Sequence, residues 1–336
     1  MNQLTPEQVK ALYFDADAIQ LPPYQLYQLN HMGKRMYYSH EITDSGSVIK
    51  FYAGVTTLLH AVMKEADQLA IWRENMGRAA AEAYMNNKAL YGSMMHTVLT
   101  RFLIDKAFDL DQLPMLVVEY CNKNEIPIEK GWAYDIQHDL TAFSRFVKEY
   151  EIKPILIEAP MKSDAFGIAG TCDLLAEITI EEKGYWGEEY KTGDKKGEPK
   201  ETKKPIRVLA LIDYKSNRSG SFYESHEIQL EMYEHLVKET FPQYKDTPIR
   251  LYNWSPKDWE TNPDYNFREQ TGKHLPEILP AYITIFRDKQ KSDPALRNIL
   301  SFSGILDLEK EYCWEEVITI KQLKDVIGKN HSSGKQ

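Results

Sequence analysis

The sequence predicts a mixed α/β fold: a small mixed sheet flanked by helices, with a helical N-terminal part. Three observations predict it. RMYYSHEITDSGSVIKFYAG alternates polar and apolar residues around an Asp-Ser-Gly turn, the pattern of a hairpin over roughly 35–53. The long stretch from Val55 to Phe108 carries apolar residues at three-and-four spacing and is rich in Ala, Met and Leu, which predicts two or three amphipathic helices. From residue 154 the period changes, and PILIEAP, GIAGTCDLLAEITI and VLALIDYKS supply three short apolar runs suited to neighbouring strands.

The remaining elements follow in order. A helix covers about 132–150. The polar stretch EEKGYWGEEYKTGDKKGEPKETKKP lies between the second and third strands and reads as an elongated hairpin or mobile loop. SHEIQLEMYEHLVKET is a helix with Ser225 as N-cap and Ile228, Met232 and Leu236 on one stripe. TPIRLYNWS is a further strand, LPEILPAYITIFRDKQK a helix started or broken near Pro280, CWEEVITI a late strand and KNHSSGKQ a disordered tail. The chain thus divides into an N-terminal segment with its hairpin (1–53), a helical region (54–150), a core sheet and helix with a lysine-rich insertion at 181–206 (151–250), and a C-terminal α/β extension packed on the core (251–330).

Bulk composition narrows the function classes. A chain of 336 residues with 43% hydrophobic content can bury a sizeable core. The N-terminus has no basic-then-apolar secretory layout, and no apolar run nears the ~20 residues that cross a bilayer, so a soluble cytoplasmic protein without a membrane partner is expected. Cys121, Cys172 and Cys313 stand far apart with no CxxC spacing, against a disulfide framework, a zinc knuckle or an iron–sulfur cluster. The net charge of −9 provides no general attraction to nucleic acid, so any such contact has to come from a local surface.

One constellation carries chemistry. Side chains alternate along a strand, so Asp213 and Lys215 in LALIDYKS point one way and Tyr214 the other. The spacing is common here, as in Glu189–Lys191, but only Asp213–Lys215 has an apolar strand before it and a helix pattern after it. Asp173 lies inside a second apolar run and Glu158 inside a third, where an ionised carboxylate is costly unless paired or bound to metal. Carboxylates converging from neighbouring strands suit Mg²⁺ or Mn²⁺. Gln229 and Tyr233 share a helix face after the loop, as do Gly92 and His96 upstream, and a neutral His96 imidazole is a candidate to complete a metal shell. The plainer alternatives are a surface ion pair for Asp213–Lys215, a core or capping histidine, an ordinary helix face, a solvated lysine hairpin, and simple packing of the aromatics in LYNWSPKDW.

In this order, GSMMH, GIAGTCDLLAEI, LIDYKS and QLEMY, with AGVTTLL and a Trp and Gly ahead of them, resemble RecB-like nucleases of the PD-(D/E)XK superfamily, especially the phage-associated exonuclease branch. The resemblance spans roughly residues 50–240. It implies a restriction-endonuclease-like core in which Asp173 stands for the first acid and Asp213 and Lys215 for the (D/E)xK half. It further implies His96 as an extra metal ligand, with Gln229 and Tyr233 helping to hold DNA and the lysine, and Ser216 supporting them. Cys172 stands where the superfamily's name has Pro, and the long insertion has no counterpart to carry over. The expectation is a Mg²⁺- or Mn²⁺-dependent deoxyribonuclease without an iron–sulfur cluster. Asp173, Asp213, His96 and the Tyr214 carbonyl would hold the ion, Glu158 would be a secondary ligand or orienting group, and Lys215 would position the water. By family analogy this would be an exonuclease at DNA ends in recombination or repair, of phage or mobile-element origin, working as a homo-oligomer or with a recombination partner. The alternatives are an endonuclease of the same fold and a non-catalytic DNA-binding or assembly protein.

Overall fold

Helices cover both faces of one mixed sheet in the computed structural model, which describes residues 20–31, 33–43, 46–64, 67–274, 277–291 and 302–303. Three strands come first, β1 (Tyr27–His31), β2 (Lys34–Thr43) and β3 (Gly46–Gly54), paired antiparallel in sequence. The expected 35–53 hairpin is β2–β3. The helical stretch then forms three helices, α1 (Val55–Val62), α2 (Asp67–Met76) and α3 (Arg78–Asp105). Gly77 separates the last two at φ +82, a conformation that glycine adopts without penalty. α4 (Leu113–Lys123), which the sequence reading left unassigned, precedes α5 (Trp132–Glu149).

The hairpin β4 (Lys153–Ser163) and β5 (Ile168–Glu189) follows, then β6 (Pro199–Tyr214), α6 (Glu224–Thr240), β7 (Ile249–Pro256), β8 (Tyr265–Glu269) and α7 (Ile278–Gln290). A two-residue β9 (Phe302–Ser303) pairs with β3. Pro280 lies in the first turn of α7, where its missing N–H is tolerated. Ser225 is not the cap of α6. The cap is Tyr223, whose N–H donates to His226 Nδ1 at 3.3 Å, so Ser225 falls inside the first turn. Cys313, the CWEEVITI strand and the KNHSSGKQ tail lie outside the described residues.

The sheet runs β1-β2-β3-β5-β6-β7-β8, with β4 on β5. It therefore takes in both the N-terminal hairpin and the first two strands of the C-terminal extension. One apolar layer packs α1, α6 and α7 on one face, through Leu58, Leu230, Met232, Leu236, Ile283 and Phe286. The other packs α3, α4 and α5 on the opposite face, through Met95, Leu99, Val117, Ile136, Phe143 and Phe146. Each such side chain contributes roughly 1.5–3 kcal/mol of burial, which makes the layers the main source of stability. The aromatic run of β7 belongs here: Trp254 is fully buried, edge-on to Phe143 at 5.0 Å.

Two features of the sheet position the site. β4 holds one edge of β5 along 168–177, so β3 and β6 must share the other: β3 pairs Ile168 and Ala169, and β6 pairs Leu174 onward. Between them, at residues 170–173, the sheet forks. The registers also bring four polar residues to neighbouring positions on adjacent strands. Ile157↔Leu174 and Ala159↔Cys172 bracket Glu158 opposite Asp173, Leu174↔Ile212 puts Asp213 next across from Asp173, and Asp213 pairs with Asn253.

The insertion is a two-stranded ribbon continuing β5 and β6, with pairs running out to Tyr185↔Glu201 and Glu189↔Pro199. Its lysines do not make a basic patch. Seven lysines and seven acids lie between residues 181 and 206, and Lys183–Glu201, Lys203–Glu181 and Lys204–Glu188 pair within the ribbon. It points away from the fork, since Tyr185 stands about 40 Å along β5 from Asp173 at ~3.3 Å per residue.

Candidate metal centre

The fork gathers side chains from five elements. His96, on α3, turns Nδ1 toward two carboxylates, 3.3 Å from Asp173 Oδ1 and 3.5 Å from Glu158 Oε1. Its other nitrogen, Nε2, donates to the carbonyl of Tyr214 at 3.2 Å, because a carbonyl only accepts. That bond leaves the Nδ1 lone pair of the neutral ring aimed at the carboxylates, the arrangement by which proteins orient metal-binding imidazoles. One ligand atom each from His96, Glu158 and Asp173 lies within 4.8 Å of the others.

Local backbone geometry explains why these groups meet. Asp173 sits where β5 loses β6, and its Oδ2 replaces the missing strand carbonyl by accepting the Tyr214 N–H at 2.6 Å. Glu158 has φ +46, a left-handed conformation inside a strand that costs a non-glycine residue on the order of 1–3 kcal/mol. Its Oε1 is buried and makes no hydrogen bond. A buried carboxylate oxygen whose one polar neighbour is the His96 ring at 3.5 Å is expensive, and a cation is what would satisfy it.

Electrostatics among these side chains agree with that need. Burial pushes the Glu158 carboxyl above its ordinary range, with Asp173 adding to the rise and His96 opposing it. Burial acts against charged His96 as well, but the two carboxylates outweigh it and hold the imidazole well above its usual value. Asp173 moves down: burial raises it, and His96, the Tyr214 N–H and Lys215 together prevail. A proton on His96 thus does part of a cation's work. One nitrogen and two carboxylates are a donor set that could hold a divalent metal ion.

Asp213 stands beside this cluster and is not one of its three members. Its Oδ2 accepts from Lys215 Nζ and from Asn253 Nδ2, each at 2.8 Å, and burial raises its pKa to about 6 despite Lys215. Lys215 Nζ also donates to Gln229 Oε1 at 3.0 Å, and Gln229 Nε2 donates to Tyr233 OH at 2.9 Å. The face of α6 expected to meet the strand end therefore does so, through the lysine. Gly170 admits Tyr233, since a Cβ there would stand 2.5 Å from the ring. Ser216 packs against Gly92, whose missing side chain lets the post-strand loop approach α3 one turn before His96. The Tyr214 carbonyl, expected as a ligand, is engaged by His96 instead.

Several participants escaped the sequence reading. Asn253 and Gln270 lie behind Asp213, and the signal for Asn253 was a polar amide inside the apolar strand IRLYNWSP. Arg218, just past the lysine, binds the fully buried Asp139 of α5 at 2.9 Å, and Tyr91 of α3 donates to the same carboxylate. This clamp fixes the loop that carries Ser216 to both helices. Among the described residues no helix is long and apolar enough to cross a membrane. No protein-family model matches the chain, and a search of curated proteins finds no match.

Proposed function

We propose that the chain is a divalent-metal-dependent nuclease of the PD-(D/E)XK type that hydrolyses phosphodiester bonds in DNA. One observation carries the reading: His96, Glu158 and Asp173 form a compact ligand cluster with an unsatisfied buried oxygen, and the Asp213–Lys215 pair stands next to it. His96, Glu158 and Asp173 would hold the ion, with Asp213 completing the acidic side. A bound Mg²⁺ or Mn²⁺ supplies Lewis-acid charge at a phosphoryl oxygen and a water of lowered pKa.

The protein's own groups do the rest. Lys215 has three N–H donors, and Asp213 and Gln229 take two, which aims the third at a water or a phosphoryl oxygen. The ammonium thereby orients the nucleophile and balances negative charge that grows as the phosphodiester is attacked. Gln229, braced by Tyr233, keeps the lysine from swinging into solvent. An exonuclease acting at DNA ends in recombination or repair is the form the motif resemblance favours.

The test is cleavage of linear and closed circular DNA, single- and double-stranded, with and without Mg²⁺ or Mn²⁺. The expected result is cleavage of linear DNA only with metal, with Lys215→Ala lowering the rate on the order of 10²–10⁴-fold while the fold is kept. Full activity in Lys215→Ala would sink the assignment. Cutting of circles would make the enzyme an endonuclease.

A further inference from the structure

Behind Asp213 runs a chain of buried amides that no step above uses. Asn253 and Gln270 are 0% and 1% exposed. Gln270 Nε2 donates to Asn253 Oδ1 at 2.8 Å, and Asn253 Nδ2 donates to Asp213 Oδ2 at the same distance. The direction is forced. An ionised Asp213 only accepts, so Asn253 must present its NH₂ group to it, and Gln270 must then present its own NH₂ group to the Asn253 oxygen. Gln270 Oε1 is left buried without a partner, as expected if the amide is committed at its nitrogen end. The Gln270 backbone N–H is pinned to Leu251 O at 2.8 Å, so the relay starts from a fixed point beside β7.

We infer that Asn253 and Gln270 are positioning residues: a one-way amide relay that holds Asp213 with Oδ2 turned to Lys215 and Oδ1 left for the group the site binds. The inference rests on the nuclease reading for its consequence, and on the hydrogen-bond chain alone for its existence. Two buried amides, one inside the apolar strand β7 and one just past the end of β8, are costly unless paired, and here their pairing ends on the acid that anchors the lysine. Gln270→Glu keeps the shape and replaces the donor with an acceptor. Asn253 then turns its NH₂ to residue 270 and its oxygen to Asp213, which repels the carboxylate.

The experiment has two readouts. Steady-state cleavage of linear DNA with Mn²⁺ compares wild type with Asn253→Leu, Gln270→Leu and Gln270→Glu. Each variant, by breaking the relay, lowers kcat by ~10–100-fold, the range for partners that orient a site's ligands, while KM for DNA holds. Gln270→Glu, although isosteric, loses at least as much as Gln270→Leu, whereas a packing role would spare it. The second readout is a thermal-denaturation cycle between Gln270→Leu and Asp213→Asn, which share no direct contact: the relay makes their melting shifts non-additive. Unchanged kcat in all three variants of an active wild type overturns the relay, and so do additive shifts, whether or not the wild type cleaves DNA. A wild type without cleavage but with non-additive shifts overturns the nuclease reading and leaves the relay in place.

Discussion

The main chain of Tyr214 orients two members of the cluster at once: its carbonyl accepts from His96 Nε2 at 3.2 Å, and its N–H donates to Asp173 Oδ2 at 2.6 Å. A single peptide segment at the end of β6 thereby sets the ring of one candidate ligand and the carboxylate of another. The Tyr214 ring enters the aromatic layer, edge-on to the His96 ring at 5.6 Å and to Phe143 at 5.2 Å, and its hydroxyl is buried without a hydrogen bond.

Tyr214→Phe separates these two roles. Removing an unpaired buried hydroxyl is expected to leave stability unchanged or raise it by up to ~1 kcal/mol, with metal binding intact, because the backbone contacts and the ring's edge contact with His96 both remain in phenylalanine. Chemical denaturation with Mn²⁺ calorimetry on the same samples checks both halves.

Glu158 offers a second separation. Glu158→Ala and Glu158→Gly both remove the carboxylate and are expected to weaken Mn²⁺ binding at least ~10-fold, since even partners of metal ligands contribute that much. At φ +46 glycine is favoured over alanine, so Glu158→Gly should be more stable than Glu158→Ala by about 1 kcal/mol. Equal stabilities would show that the backbone there is not strained.

His96 makes the metal-free protein sensitive to alkali. Its folded pKa is raised above the unfolded value, so its stabilising effect is complete below about pH 6.5 and is lost as pH rises through the higher folded value. With EDTA present, the melting temperature is expected to fall as pH is raised above neutrality. His96→Gln should flatten that slope, and Mn²⁺ should remove it in the wild type by replacing the proton. A slope that persists in His96→Gln would assign it to other groups.

The ribbon provides a negative control. Its charges cancel within themselves and it leaves the sheet far from the fork. Replacing residues 184–202 by a short turn is therefore expected to leave the cleavage rate, and the salt dependence of DNA binding, unchanged within error. A flatter salt dependence would mean that the ribbon lysines meet phosphate after all.

Legibility followed the reach of local pattern. The α3, α5 and α6 stripes and the strands β4 to β6 were visible as apolar periodicity, because each buries one face or two against the layers. His96, Asp173, Asp213 and Lys215 were visible as polar groups set in apolar surroundings. The weight due to Glu158 was not, since its role depends on a left-handed backbone within a strand, which no residue type announces. Nor was the relay: Asn253 gains meaning only from its register with Asp213, and Gln270 only from the turn of β8 behind it. The lysine run of the ribbon reads as a solvated hairpin, and the cross-strand pairing with glutamates that neutralises it is invisible in one dimension.

The fork in the sheet also bears on how the molecule assembles. The group from α3 enters at residue 96 and the lysine at 215, and the short β3–β5 pairing that bounds the opening joins residues 53–54 to 168–169. Such distant partners are brought together late, after local helices and hairpins have formed, because each long loop must close first. If the cluster holds a metal as proposed, its capture would mark the end of folding, and a refolding chain would bind Mn²⁺ only in the slowest phase.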